Sequence, residues 1–569
     1  MASDQPQPQD PKTIPLKVLI DKQNNKVVAV EAPKHFIDTL FSFLSLPLAT
    51  IIRLLSTNNN DQQQPQSPQS SNNNDQQQPQ SPQSSNNNDQ QQQQPQSSSE
   101  SSPLLGSIES LYESVKTLTP NDVWNPVCKQ MLLSPKNPCE SLCSKLFLNI
   151  DDTEVSSRFF VCASCNKFTT FQNLDCTCGK PTNKRPKNLD SEGQGNSTGV
   201  VVDDALNGVF VKENRSLFLV FDDLKIVPSS LVTSMQMLKE LGYSNLSQLE
   251  EVTHNIGKQE ILNLLKYVLT SHEPLTNTIL KSSSKKKDNS PSQFASAVKV
   301  KTCTSDIKMD VKLVRSKSQK KIIFAETGEN FVDFIFSFLT IPLGSIVKLL
   351  DGNSFIGSVD SLYKSVENLD SSCCTESRSV LLNPGVLRQF GYPNQPLNIP
   401  NVQASTATYY YGTGIPKQEW DNRYNCYHTI EVKVEGGVIS KTRGLIYNAK
   451  ALTGLDPRSP NKSIQNVVGF VKRPALYGVR DDLKIQSFSS NSCLSYLKEL
   501  SFPLDDLEMK VISIGEAEAL SLLAASLTSK CTLTGGLEDF FNVPKQDSNL
   551  TLKYTSRLDE LAKEPKPED

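Results

Sequence analysis

Apolar positions recur along the chain in two matching blocks. "FIDTLFSFLSLPLATIIRLL" runs from Phe36 to Leu55, and "FVDFIFSFLTIPLGSIVKLL" from Phe331 to Leu350. Each block is about as long as a membrane-spanning helix. Both nevertheless carry a carboxylate at the same place, Asp38 and Asp333, and a cation near the end, Arg53 and Lys348. Pro47 and Pro342 divide them. A proline removes a helical donor and restricts the residue before it, so each block reads as two short helices with the proline opening the second. Phe36, Leu40, Phe43 and Leu44 recur at helical spacing in the first piece, as do Leu48, Ile51, Ile52 and Leu55 in the second. Pieces this short predict a helical pair buried in protein and no membrane segment.

The blocks belong to a longer repeat. Lys17 to Leu55 aligns without a gap to Lys312 to Leu350, with about 15 identities in about 39 positions. "GSIESLYESVKTL" at Gly106 returns as "GSVDSLYKSVENL" at Gly357. "FVKENRSLFLVFDDLKI" returns as "FVKRPALYGVRDDLKI", and "NIGKQEILNLLKYVLTS" as "SIGEAEALSLLAASLTS". The order is kept throughout, which predicts two tandem homologous modules. Within each, "PLKVLID" and "KVVAVEA" are strand-like and joined by a turn at "KQNN". An amphipathic helix follows the buried pair, with Ile108, Leu111, Tyr112, Val115 and Leu118 on one face. A helix near "SLVTSMQMLKELG" ends at Gly242, and a last one spans about Lys258 to Thr270. β-Hairpins mixed with helices predict an α+β fold.

Polar stretches mark the boundaries. Residues 1–13 read as a disordered N-terminus, 14–280 as module 1, 281–306 as a basic flexible linker, 307–541 as module 2 and 542–569 as a polar tail. Within module 1, "NNNDQQQPQSPQSS" is nearly duplicated, and a Gln/Asn/Pro/Ser tract of this kind cannot bury enough apolar surface to fold. Residues 56–103 are therefore read as a disordered insert. From Lys281 to Lys321 the local charge is about +9. The whole chain carries a formal −3, which gives no general electrostatic case for nucleic acid or an anionic membrane. The N-terminal "MASDQPQPQD" lacks a secretory pattern, so an intracellular location, cytoplasmic or nuclear, is expected, with cysteines as thiols or metal ligands.

One constellation carries chemistry. "FFVCASCNKFTTFQNLDCTCGK" places Cys162, Cys165, Cys176 and Cys178 within one short segment, a zinc knuckle read over 159–180. A Cys-x-x-Cys turn sets two thiolates on one tetrahedral ion, and a second pair about ten residues later can close the site. Gly179 suits the tight turn after the last cysteine. Free thiols in a hairpin and redox chemistry are the alternatives. Four protein ligands would leave no open position, so a bound zinc would be structural. Cys139 and Cys143 have the wrong spacing for a second site, and the corresponding region of module 2 keeps only Cys426. Asp222–Asp223 and Asp481–Asp482, in the two "DDLKI" blocks, read as strand-end or turn residues. Glu260 and Glu518 read as helix-start residues. His35, His254, His272 and His428 are scattered, and no P-loop, Gly-x-Ser-x-Gly or His-Glu-x-x-His occurs.

Together "KVVAVEAPKHFIDTLFSFLSLPLATIIRLL", "GSIESLYESV", the "CASC…CTCG" knuckles, "DDLKI" and "IGKQEILNLLKYVLTS" resemble a plant family catalogued as domain of unknown function 674. The resemblance implies a plant protein with tandem modules and carries over no activity, substrate or catalytic residue. The sequence reading is a non-enzymatic interaction protein with unknown protein partners and a structural zinc knuckle. The alternatives are nucleic-acid binding through the knuckle and the basic linker, and an enzyme whose site is assembled from distant residues.

Overall fold

In the computed structural model each half builds a five-stranded antiparallel sheet with the same strand order. The structure describes residues 12–61, 105–152, 158–162, 164–172, 174–190, 208–212, 217–281, 305–402, 408–458, 468–473 and 475–541. The first sheet runs Ile226–Pro228, Leu217–Phe221, Lys26–Pro33, Ile14–Asp21, Leu249–Ile256. The second runs Ile485–Ser487, Leu476–Arg480, Lys321–Gly328, Met309–Ser316, Leu507–Ile514. Alternation along Ile14–Asp21 puts Ile14, Leu16 and Val18 on the buried face, as the period of a half-buried strand requires. The fold is α+β, as the mixed pattern predicts. Most of the insert and the linker, and nearly all of both chain ends, lie outside the described residues.

The apolar blocks are core helices. The first forms the helix Lys34–Ser42, a 3-10 turn at Phe43–Ser45 and, opened by Pro47, the helix Leu48–Asp61. The second repeats this at Glu329–Ser337, Phe338–Thr340 and Leu343–Leu349. Phe36, Leu40, Phe43, Leu44, Phe331, Phe334 and Phe338 are fully buried. Among the described residues no helix is long and apolar enough to cross a membrane. The helix opened by Pro47 runs on through Ser56–Asp61, into the stretch read as insert. Buried Asn58 explains the extension, since its amide donates to Asn263 Oδ1 at 3.0 Å and ties the last turns to the helix Lys258–Thr270.

The prolines mark a centre about which the halves make reciprocal contacts. Pro47 and Pro342 face each other across an antiparallel bridge. Leu48 N donates to Ile341 O (3.2 Å), and Leu343 N to Leu46 O (3.0 Å). Away from this centre each half lends a helix to the other. The amphipathic helix Ile108–Thr117 packs on the second sheet, and Val359–Asn368 on the first. Ser114 Oγ accepts from Ile485 N (3.1 Å), while Ser365 Oγ accepts from Ile226 N (2.9 Å). One continuous apolar core includes residues from both halves.

The "GS" that opens each exchanged helix has a role in this arrangement. A helix leaves its last carbonyls without internal partners. Ser107 N donates to Ser526 O (2.8 Å) and Ser107 Oγ to Ser529 O (2.7 Å), at the end of the helix Glu516–Thr528. Ser358 does the same for the helix Lys258–Thr270, through Val268 O (2.8 Å) and Ser271 O (2.8 Å). Each exchanged helix thus caps a helix of the opposite half.

Candidate metal centre

The knuckle grows from a short hairpin, Phe160–Val161 with Lys167–Thr169, in which Val161 pairs with Phe168. Cys162 N donates to Lys167 O (2.9 Å) and closes the first turn over Cys162 and Cys165. The second turn is closed by Cys176 N to Lys180 O (2.9 Å) and Gly179 N to Cys176 O (2.8 Å). Gly179 holds φ +79°, the left-handed region, with open space around its α-carbon; the dihedral is what calls for glycine here.

All four Sγ atoms lie within 4.8 Å of one another. Cys162 and Cys178 are 3.5 Å apart, Cys165 and Cys176 3.2 Å, and Cys165 and Cys178 3.8 Å. A metal–sulfur bond of ~2.3 Å in a tetrahedron places sulfurs ~3.8 Å apart, so the donor set fits one thiophilic ion. Burial opposes ionisation of Cys162, but the N–H groups of Ser164 and Cys165 and the neighbouring thiols outweigh it and bring the thiol down to about 7. Ser164 N stands 3.5 Å from that sulfur. Burial and the adjacent sulfurs push Cys165 up to about 12, since crowded thiols resist shared ionisation unless a cation compensates. The structure therefore brings together all four cysteines named from the sequence.

Cys128, Cys139 and Cys143 are buried packing residues instead. Burial pushes Cys128 up to about 12 and Cys143 up to about 11, and raises Cys139 further. Buried thiols of this kind are poor nucleophiles.

The knuckle sits against the other half. The region of the second half without the cysteine pattern folds as a long antiparallel ribbon, Tyr410–Asp421 with Cys426–Ser440. Its base packs on the knuckle through a small core of Phe159, Val161, Ile439 and Leu452. The Tyr409 ring lies 4.9 Å from Phe159 and 5.4 Å from Phe168. Lys187–Asn188 runs parallel to Val438–Ile439, and Thr453–Gly454 parallel to Lys167–Phe168. Asp190 accepts from Ser440 Oγ (2.6 Å) and Lys441 N (2.9 Å). The cysteine spacing carries no sign of this docking, because its partners lie more than 200 residues away.

The acidic candidates are structural clamps. Asp222 accepts from Thr276 N (2.9 Å) and Thr276 Oγ1 (2.5 Å), and Asp481 accepts from Thr534 N (2.8 Å) and Thr534 Oγ1 (2.9 Å). Asp223 and Asp482 accept from Lys225 N and Lys484 N, closing the turn between strands as the sequence suggests. Glu260 and Glu518 accept from Gly257 N (3.0 Å) and Gly515 N (2.9 Å) at their helix starts. Burial pushes Asp222 up to about 6 against the Thr276 hydrogen bonds. A raised folded-state value means that the folded chain holds this proton more tightly, so stability falls as pH rises from about 4 to about 6. Asp222→Asn should remove this dependence. Measured by urea unfolding, the variant should be near wild type at pH 4 and more stable than wild type at pH 7, a swing on the order of 2–3 kcal/mol. A parallel pH profile for the two proteins would refute the assignment.

Two carboxylates of greater weight lie in the apolar blocks. Asp38 accepts from Val209 N (2.8 Å), Phe210 N (2.8 Å) and Val211 N (3.0 Å). Asp333 accepts from Phe470 N (2.7 Å), Val471 N (3.1 Å) and Arg473 Nη2 (2.5 Å). The sequence signal was their repetition at one register inside apolar helices, and its meaning lay in the "FVK" segments they hold. Those segments also cross between halves: Val211 bridges Cys374, and Val471 bridges Val123.

A cleft of about 820 Å³ is lined by Lys12, Leu54, Asn58, Phe147, Asp152 and Lys258, among others. Its carboxylates are engaged: Asp152 with Arg53 (2.6 Å), Glu260 with Gly257 N. No curated protein and no solved structure matches the chain. The family described as "Protein of unknown function (DUF674)" matches residues 10–70 and 91–517, and the chain belongs to that family.

Proposed function

We propose that this is a non-enzymatic interaction protein, arisen by internal duplication, in which a structural zinc ion holds together the knuckle that docks on the ribbon of the other half. The convergence of four cysteine sulfurs within that knuckle carries the reading. Four thiolates suit zinc and fill its coordination shell, leaving no position for a substrate or an activated water. The buried carboxylates are taken up by backbone N–H groups, which supports a scaffold over a catalytic chain.

Elemental analysis of the purified chain should find one zinc per molecule. Cys162→Ser/Cys176→Ser should lose it and raise amide exchange across 158–190 and the adjoining base of the ribbon, while the main core stays protected. A wild-type protein purified under reducing conditions without metal would reject the reading.

A further inference from the structure

The lobe formed by the knuckle and the ribbon departs from the near-neutral charge of the chain. Lys180, Lys184 and Arg185 on the knuckle side and Lys441, Arg443 and Lys450 on the ribbon side are all exposed. None of the six forms an ion pair with a carboxylate among the described residues. Three of them lie over aromatic rings of the lobe. Lys184 Nζ lies 5.9 Å over the Tyr411 ring, Lys441 Nζ 5.8 Å over Tyr409, and the Arg185 guanidinium 5.5 Å over Phe160. Lys450 is the register partner of Tyr411. Among the acids of the lobe, Asp190 accepts from Ser440 Oγ and Lys441 N, Asp421 from Arg423 N and Glu431 from Thr413 Oγ1.

Further out, the ribbon leaves its packed base, and most positions of both strands become exposed. A two-stranded ribbon is marginal alone. Its outer end nevertheless displays rings: Trp420 is 44% exposed, Tyr427 68% and Tyr424 73%. Trp420 and Tyr427 meet edge to face at 4.9 Å. Clustered cations with displayed aromatic faces are what a flexible strand of phosphates and unpaired bases recognises. A duplex hides its base faces, and an acidic peptide has carboxylates but no bases to stack.

The geometry points to a single-stranded nucleic acid as the ligand of this lobe, with phosphates along Lys184, Arg185 and Lys441 and bases on the rings of the ribbon. The inference rests on the proposed metal-held knuckle, which positions Lys184 and Arg185.

The test is fluorescence anisotropy of the full chain with labelled oligo-U and oligo-dT of about 20 nucleotides, from about 50 to about 200 mM salt. Affinity should fall linearly with salt on logarithmic axes. Lys184→Glu/Arg185→Glu/Lys441→Glu should weaken binding on the order of 100-fold and reduce the salt slope by about 2. Trp420→Ala/Tyr427→Ala, remote from the cysteines, should weaken it about 10-fold with the slope unchanged. Tighter binding of oligo-U than of oligo-dT would assign RNA. Failure of wild type to bind either strand, or unchanged binding by both variants, overturns the inference. Equal competition by polyglutamate would assign an acidic protein instead and overturn it too. Zinc content is measured on every sample: a zinc-loaded protein that ignores both strands sinks this inference alone, and a metal-free one sinks the proposed function.

Discussion

Asp38→Ala should lower the stability of the whole chain by about 4 kcal/mol or more, enough to unfold much of it at ordinary temperature. Asp38 is 2% exposed. Its two oxygens take the N–H groups of three successive residues, Val209, Phe210 and Val211, within 3.0 Å. Alanine leaves three donors unpaired, those of Phe210 and Val211 in buried positions, each costing about 1–3 kcal/mol. The damage would not stay local, because the same segment carries contacts to the other half: Lys212 N donates to Cys373 O and Thr375 N to Phe210 O. Asp38→Asn keeps one acceptor oxygen and should cost roughly half as much, since its amide group faces an N–H it cannot satisfy. Urea unfolding of the three proteins checks the order. An alanine variant within about 1 kcal/mol of wild type would show that the carboxylate is not the clamp.

Elements with strong local signals were readable from the chain alone. The helix Lys258–Thr270, the proline-opened helices and the strand pair Ile14–Asp21 and Lys26–Pro33 follow from apolar period and turn residues. The cysteine quartet was readable because its four members lie close in sequence. What the halves do to each other was not. The apolar face of Ile108–Thr117 announces a buried helix, but periodicity cannot say whose sheet buries it. The partner, Ile485, stands more than 370 residues along the chain. Leu224 and Leu483, buried at the "DDLKI" turns with φ of +65° and +61°, were equally hidden, because leucine in that region runs against local preference. Arg458 is a similar case: a guanidinium 2% exposed, ion-paired to Asp456 and donating to Arg388 O, in a stretch whose composition reads as surface.

Gly357→Ala should prove as damaging as the loss of the Asp38 clamp, and it isolates the seam between halves. Gly357 has φ +41°, and a Cβ there would stand 2.3 Å from Val268 O and 2.9 Å from the Leu269 carbonyl carbon. Both are backbone atoms at the end of the helix Lys258–Thr270, so no side chain can turn aside. Relief requires the exchanged helix Val359–Asn368 to lift off the first sheet. That movement breaks the bonds from Ser358 to Val268 O and Ser271 O, and from Ile226 N to Ser365 Oγ. A loss of about 4 kcal/mol or more is expected from the clash and the broken bonds together. Gly106→Ala should behave alike, for its Cβ would meet Ser526 O at 2.5 Å. Gly352 supplies the control. It too lies at positive φ, +81°, but with nothing within 4 Å of its Cβ position. Alanine there should cost only the dihedral preference, about 1 kcal/mol. If thermal melting places Gly357→Ala beside Gly352→Ala, the helices are not held across the seam at the close approach the geometry requires. A wide gap between the two variants would make Gly106 and Gly357 the points at which each half is locked to the other.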